Sequence, residues 1–189
     1  VRFAALVPVV LALAACSSEE ASQPPEPTDT APAEAPAPTA PPSRPGREAR
    51  VAFIIDGDTL ALANGRRVRL LQIDTPEVAE DECYADEATR ELEAMLPPGA
   101  RIRLEADPPL DRIDRYGRLL RYVHRSGTNV NLELVRRGAA SVWFYDGERG
   151  RYADRLLAAT RRAKAAKRGL WGACPDTPLD TSAGVDTGR

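Results

Sequence analysis

The chain has a single histidine, His124, among its 189 residues. That leaves no histidine pair and gives a Ser/His/Asp relay little support, and His124 falls within an expected strand, which suits a structural role. Cysteine is nearly as scarce, with Cys16, Cys83 and Cys174 and no Cys-x-x-Cys pair, so a zinc site has no ligand set. Aromatic residues make up 5% of the chain, which predicts a modest core built mainly from aliphatic side chains. The net charge of −2 excludes a uniformly basic polyanion binder. No internal repeat is visible. The one long apolar run, Phe3 to Ala15, is short for a membrane-spanning helix and is interrupted by Pro8.

That run is better placed as an export signal. Arg2 supplies the positive start, and residues 1–15 read as a signal peptide. Its end, Leu13-Ala14-Ala15-Cys16-Ser17, resembles the lipobox of bacterial lipoproteins, which makes Cys16 a candidate lipidation site. The alternative is an ordinary secretory signal cleaved near the same alanines. Either way the protein is expected to be exported, anchored to the cell membrane through lipid or secreted. Val1 stands where an initiating methionine is usual, which fits an alternative start or a trimmed terminus. Residues 16–47 are rich in Pro, Ala, Ser and Thr and have little to bury, so they read as a disordered linker. Residues 48–174 hold the folded domain, and 175–189 read as a flexible tail. From Arg50 to Cys174 there are 22 Lys and Arg against 19 Asp and Glu, nearly all the cations being arginine. That slight excess predicts a local phosphate-binding groove whose affinity falls with salt.

Within the domain, Val51 to Ile55 reads as a buried strand and Thr59 to Ala63 as a second. Asn64-Gly65 is a hairpin signal, because both residue types accept positive φ, and Arg66 to Ile73 returns. Asp86 to Leu96 has helical spacing and is stopped by Pro97-Pro98-Gly99. Strands are expected at Ala100–Ala106 and Arg118–His124. Asn129 or Asn131 can cap a short helix through Arg137, closed by Gly138. Ala139 to Phe144 is strand or core loop, and Arg151 to Arg168 forms the last long helix, with Trp171 packed behind it. The pattern predicts an α+β domain: a five-stranded Greek-key β-barrel of the OB-fold class with about three helices.

Three segments carry chemistry. Asp56-Gly57-Asp58-Thr59 and Asp74-Thr75-Pro76-Glu77 supply carboxylates, the second pair on a loop stiffened by proline. Hard cations take several such oxygens, and a carboxylate not used as a ligand can accept a proton from an attacking water. The same residues are also ordinary turn formers, and their spacing alone does not choose. Arg69 sits in an apolar strand and needs either an acidic partner or a ligand. Arg118 follows Gly117 at the start of another strand. Two arginines beside a cation can neutralise charge that develops on a phosphoryl group.

Taken in order, Ile55–Thr59, Arg69–Glu77, Asp114-Arg115-Tyr116-Gly117-Arg118 and Leu132–Ala140 resemble the staphylococcal-nuclease-like (thermonuclease) family, over about Arg50 to Trp171. The resemblance implies Ca2+-dependent hydrolysis of DNA and RNA that leaves 3′-phosphate ends. It implies Asp58, Asp74 and the Thr75 carbonyl as Ca2+ ligands and Glu77 as general base. It gives Arg69 and Arg118 to the transferring phosphate, and Arg115 and Tyr116 to the substrate's terminal phosphate. Which ring of Val142-Trp143-Phe144-Tyr145 stacks on a base is not assigned. A monomer with no protein partner is expected, and the alternative is an OB-fold lipoprotein that binds nucleic acid without cutting it. If Cys16 carries lipid, Cys83 and Cys174 remain. Outside the cytoplasm two leftover thiols usually pair, and two free buried thiols are the alternative.

Overall fold

The computed structural model describes residues 46–188. The signal run 1–15, Cys16 and the linker as far as residue 45 lie outside them. The first strand, β1 (Arg47–Ile54), pairs antiparallel with β2 (Thr59–Leu62), and β2 pairs antiparallel with β3 (Arg67–Leu70). The Asn64-Gly65 turn forms as its sequence predicts. Gly65 takes φ +80° and Arg66 N–H donates to the Asn64 side chain at 3.2 Å.

After β3 the chain leaves the sheet through Leu71 and Gln72 and makes the two-residue strand β4 (Ile73–Asp74). The helix α1 (Ala85–Met95) follows, then β5 (Arg101–Glu105), β6 (Leu119–Arg125) and β7 (Thr128–Asn129). Strand β5 pairs antiparallel with both β1 and β6, and β6 pairs parallel with β3, with Arg69 opposite Leu120. The ring β1-β2-β3-β6-β5 therefore closes on itself, giving a five-stranded OB-type barrel with no free long edge.

The remaining elements are α2 (Val130–Arg137), β8 (Ser141–Val142), α3 (Ala153–Ala165) and the short α4 (Leu170–Ala173). Leu60, Leu70 and Ile102 from the barrel and Leu92, Leu134 and Leu156 from the helices share one aliphatic core. The run Val51–Ile55 is not buried throughout. Val51 points inward, whereas Phe53 and Ile55 are exposed, because the β1–β2 register slips at a bulge between Val51 and Phe53 and turns the residues after it to the other side of the barrel wall.

Two asparagines near α2 divide their work. Asn129 is the cap, its side chain accepting the Leu132 N–H at 3.0 Å, and Gly138 closes the helix at φ +77°. Asn131 is fully buried. It accepts the Val123 N–H at 2.9 Å and donates to the carbonyls of Leu71 at 2.9 Å and Arg121 at 3.4 Å. It thus satisfies backbone groups at the point where β3 parts from β6. Asn131→Ala is expected to cost about 2–4 kcal/mol, since it strands buried polar groups. Asn129→Ala should cost about 1 kcal/mol, the usual value of an N-cap. Urea unfolding of the two variants checks the order.

The segment after Pro175, which composition predicts to be loose, lies against the domain. Thr177 and Val185 are buried, and Val185 joins Ala163, Leu170 and Trp171 in a second small core. Its polar composition hides this, because most of its contacts are made by backbone groups. Cys83 and Cys174 are bridged, 91 residues apart, which ties the loop after β4 to the end of α4.

Candidate active site

Asp58 ends the turn between β1 and β2. Its backbone N–H donates to the Asp56 carboxylate at 3.0 Å. Gly57 is required by packing: a Cβ there would lie 2.7 Å from Thr75 Oγ1 and 3.0 Å from Ala88 Cβ. This close approach seats the first acidic turn directly on the loop that carries Thr75. Asp58 is buried, and both its oxygens accept hydrogen bonds. Oδ1 accepts from Thr59 Oγ1 at 3.0 Å, and Oδ2 accepts from Thr75 N–H at 3.2 Å and Thr75 Oγ1 at 3.3 Å.

Arg69 sits between the acids. Its Nη1 lies 2.7 Å from Asp58 Oδ2 and donates to the Ile73 carbonyl at 2.8 Å, while Nη2 reaches Asp74 Oδ1 at 2.5 Å. Of the two readings open to an arginine in an apolar strand, the acidic partner is met twice over. Its guanidinium also lies 5.6 Å from the Trp143 ring centre. Burial pushes the Asp58 carboxyl well above the usual carboxylate range, and the Arg69 charge opposes that push.

Asp74 is fixed by register, paired with Ser141 of β8. Glu77 follows Pro76 and is exposed, and its N–H donates to Glu82 Oε2 at 2.7 Å, which curls the acidic loop back on itself. Partial burial first, and then the charges of Asp56 and Asp74, raise the Glu77 carboxyl. Among the described residues no three acidic, histidine or cysteine side chains already form one coordination sphere. Even so, Asp56, Asp58, Asp74 and Glu77 crowd one positive partner, Arg69, and the charges of Asp56 and Asp74 help to raise the Asp58 and Glu77 carboxyls. That uncompensated set of hard oxygens, with the Thr75 carbonyl beside it, fits a divalent cation.

Arg118 is held by its own turn. Asp114 Oδ2 accepts Arg118 Nε at 2.6 Å, and Asp114 Oδ1 accepts the N–H groups of Tyr116 and Arg118, both at 2.9 Å. Burial works against ionisation of Asp114, but the hydrogen bonds from Arg118 and Tyr116 prevail and lower its carboxyl. Arg118 Nη1 then reaches Thr59 Oγ1 at 3.4 Å, so the two phosphate candidates are joined through Thr59 and Asp58. Arg115 and Tyr116 lie at the rim, with Arg115 Nη2 donating to the Tyr116 hydroxyl at 2.7 Å. The Tyr116 ring is within 5.4 Å of the Arg118 guanidinium.

These residues border a cavity of about 280 Å³. Arg69, Arg115, Tyr116, Arg118, Trp143 and Tyr145 are among its walls, over a base of Leu70, Leu110 and Leu120. The structure thus brings together Arg69, Arg115, Tyr116 and Arg118. Asp58, Asp74, Thr75 and Glu77 gather at the Arg69 end without lining the cavity itself. The aromatic candidates narrow to two: Phe144 is buried, while Trp143 and Tyr145 face the cavity and meet edge to face at 5.6 Å.

Gln72, which the sequence did not single out, holds the far wall. It takes a left-handed conformation at φ +59° and is buried. It donates to the Glu148 carbonyl at 2.8 Å, and its Oε1 accepts from Tyr122 OH and Gly150 N–H, both at 3.0 Å. Its only signal in the sequence is a polar residue in an apolar strand. His124 is buried 2.7 Å from Glu105, away from this cavity, in keeping with a structural role.

Comparison with known proteins agrees with this geometry. The chain is 35% identical over 124 residues to Endonuclease YncB of Bacillus subtilis, 62% of this chain and 58% of that protein. It is also 35% identical over 124 residues to the SPbeta prophage-derived endonuclease YokF of the same organism, covering 41% of it. With an uncharacterized endonuclease of Haemophilus influenzae the identity is 32% over 144 residues, 74% of each chain. The chain therefore spans about half the length of the first two relatives. The profile described as staphylococcal nuclease homologue matches residues 67–173, a segment that holds Arg69, Asp74, Glu77 and Arg118 and begins just after Asp58. With the closed barrel and the joined acids and arginines, this match places the chain in the staphylococcal nuclease homologue family.

Proposed function

We propose that the chain is a Ca2+-dependent nuclease that hydrolyses the phosphodiester bonds of DNA and RNA in the Arg69–Arg118 cavity. One observation carries the reading: a cavity walled by arginines and aromatic rings, one of whose walls, Arg69, is ion-paired to the acids Asp58 and Asp74. The relatives named as endonucleases support it.

Asp58, Asp74 and the Thr75 carbonyl would hold Ca2+, which when bound supplies positive charge against the phosphate. The chain's own groups do the rest. Arg118, locked by Asp114, faces the charge that develops on phosphorus. Arg69, whose carboxylate partners are the acids that would hold the cation, offers a second positive charge to the same phosphate. Arg115 and Tyr116 bind a terminal phosphate at the rim. Trp143 and Tyr145 give a base two π-faces, a contact typically worth about 1–3 kcal/mol per base. Glu77, exposed at the acid end, accepts the proton of the attacking water.

The domain is proposed to act outside the cytoplasm, anchored through Cys16 or secreted. The Cys83–Cys174 bridge supports this, because such bridges persist in oxidising compartments. Purified protein incubated with plasmid DNA, single-stranded DNA and RNA is expected to degrade all three with Ca2+ and none with a chelator. Intact polymers under both conditions, with salt-sensitive binding retained, would instead identify a binding module.

A further inference from the structure

Asp74 is approached from a second direction, by the C-terminal segment. Phe144 N–H donates to the Thr181 carbonyl at 2.7 Å, and Trp143 Nε1–H donates to the Ser182 carbonyl at 3.1 Å. Val185 N–H then donates to Asp74 Oδ2 at 2.8 Å. Farther on, Cys83 N–H donates to the Gly188 carbonyl and Thr187 Oγ1 to the Cys83 carbonyl, both at 2.8 Å. The Val185 side chain is buried against Leu170 and Trp171, so the segment is anchored on both sides of its contact with the acid.

Gly184 shows how close the approach is. It sits at φ +91°, and a Cβ there would lie 2.6 Å from Asp74 Oδ2. Only a residue without a side chain lets the backbone run this near the carboxylate in this conformation. With Arg69 on Oδ1 and Val185 on Oδ2, the Asp74 carboxylate is gripped at both oxygens.

We propose that this C-terminal strap is part of the cation site, with the Val185 amide as a positioning group that fixes the orientation of Asp74. The inference rests on the reading of Asp74 as a cation ligand. A carboxylate oxygen that accepts one N–H keeps a lone pair for an ion. The partners that orient a ligating carboxylate matter for affinity, and their loss typically costs about 10–100-fold in metal binding. A strap that instead competed with the ion for Asp74 would have the opposite effect, so the two are separable by sign.

The test is calorimetric titration of the full-length chain with CaCl2 alone. Three variants are compared: Val185→Pro, Val185→Ala, and a chain ending after Thr177, which keeps Cys174. The proline removes the N–H donor. The alanine keeps the donor and trims the packing. Melting temperatures in chelator report the folding of each. The Kd for Ca2+ is expected to rise about tenfold or more in Val185→Pro and in the shortened chain. It should be unchanged in Val185→Ala, even where that variant melts lower. Unchanged or tighter binding in both donor-free chains overturns the inference, as does equal weakening in Val185→Ala. If the unaltered chain binds no Ca2+, the cation reading falls and takes this inference with it; if it binds and the variants match it, this inference alone falls.

Discussion

Arg118→Ala is expected to lower kcat on DNA by about 10²–10³-fold in the presence of Ca2+, the usual cost of losing one preorganised charge-stabilising donor. The geometry explains why the loss should fall on kcat. Asp114 holds Arg118 Nε at 2.6 Å and also accepts two backbone N–H groups of the same turn, so the guanidinium is aimed before substrate arrives. A charge fixed in advance spends nothing on reorganisation as the phosphate gains negative charge, and its benefit appears in the transition state. Asp114→Ala should therefore share part of the loss although Asp114 would touch no substrate. Arg118 is partly exposed and lies outside the aliphatic core, so its melting temperature should hardly move. Glu77→Gln is expected to lose about 10²–10⁴-fold in rate for a different reason, the loss of a proton acceptor. Single-turnover rates with enzyme in saturating excess over DNA measure all three variants. An Arg118→Ala rate equal to that of the parent chain would remove Arg118 from the charge-stabilising role.

Much of the grouping of these residues is legible in the sequence, though not their roles. Acids at strand ends, an arginine in an apolar strand and the Asp114–Arg118 block are local patterns, and local patterns survive in sequence. The closed barrel was legible too, because Asn64-Gly65 and the strand periodicities are short-range signals. What the sequence hid depended on distant partners. Nothing in Val51–Ile55 says which side of the barrel wall Phe53 faces. The choice among Trp143, Phe144 and Tyr145 turns on the register of a two-residue strand, Ile73 opposite Val142, which no periodicity can set. That Arg69 would bind both Asp58 and Asp74 follows only once β2 and β3 are paired, Thr59 against Arg69. Asn129 and Asn131 are equal candidates for one helix cap in the sequence, and the burial of Asn131 against Leu71 and Val123 is a tertiary fact. The tail was misleading for the same reason: its strongest ties, Val185 to Asp74 and Cys83 to Gly188, are made by backbone atoms that composition does not report.

Removing the Cys83–Cys174 bridge should have the largest effect on stability. The bridge closes a span of 91 residues. Loop-closure entropy puts the stabilisation from a closure of that length at about 4–5 kcal/mol, before any offset from structure left in the unfolded chain. For a domain of this size, each kcal/mol corresponds to roughly 3–4 °C in melting temperature, so a fall of about 12–20 °C is expected in Cys83→Ser/Cys174→Ser. The loss should have a spatial pattern as well. Cys83 follows the acidic loop that starts at Glu77, and its backbone grips both Gly188 and Thr187. Cys174 ends the short helix whose Leu170 and Trp171 bury Val185. Without the bridge, the acidic loop and the strap lose their common anchor, while the ring of β1, β2, β3, β6 and β5 keeps every ladder bond. Amide hydrogen exchange of the double variant should therefore quicken first at position 83, Trp143 and Val185, and much later at Val68 and Val123 in the barrel. Equal melting temperatures for the bridged and serine forms would show that the barrel and helices alone hold the acidic loop. Uniform acceleration across the domain would show that the bridge steadies the whole fold rather than the acid end of the cavity.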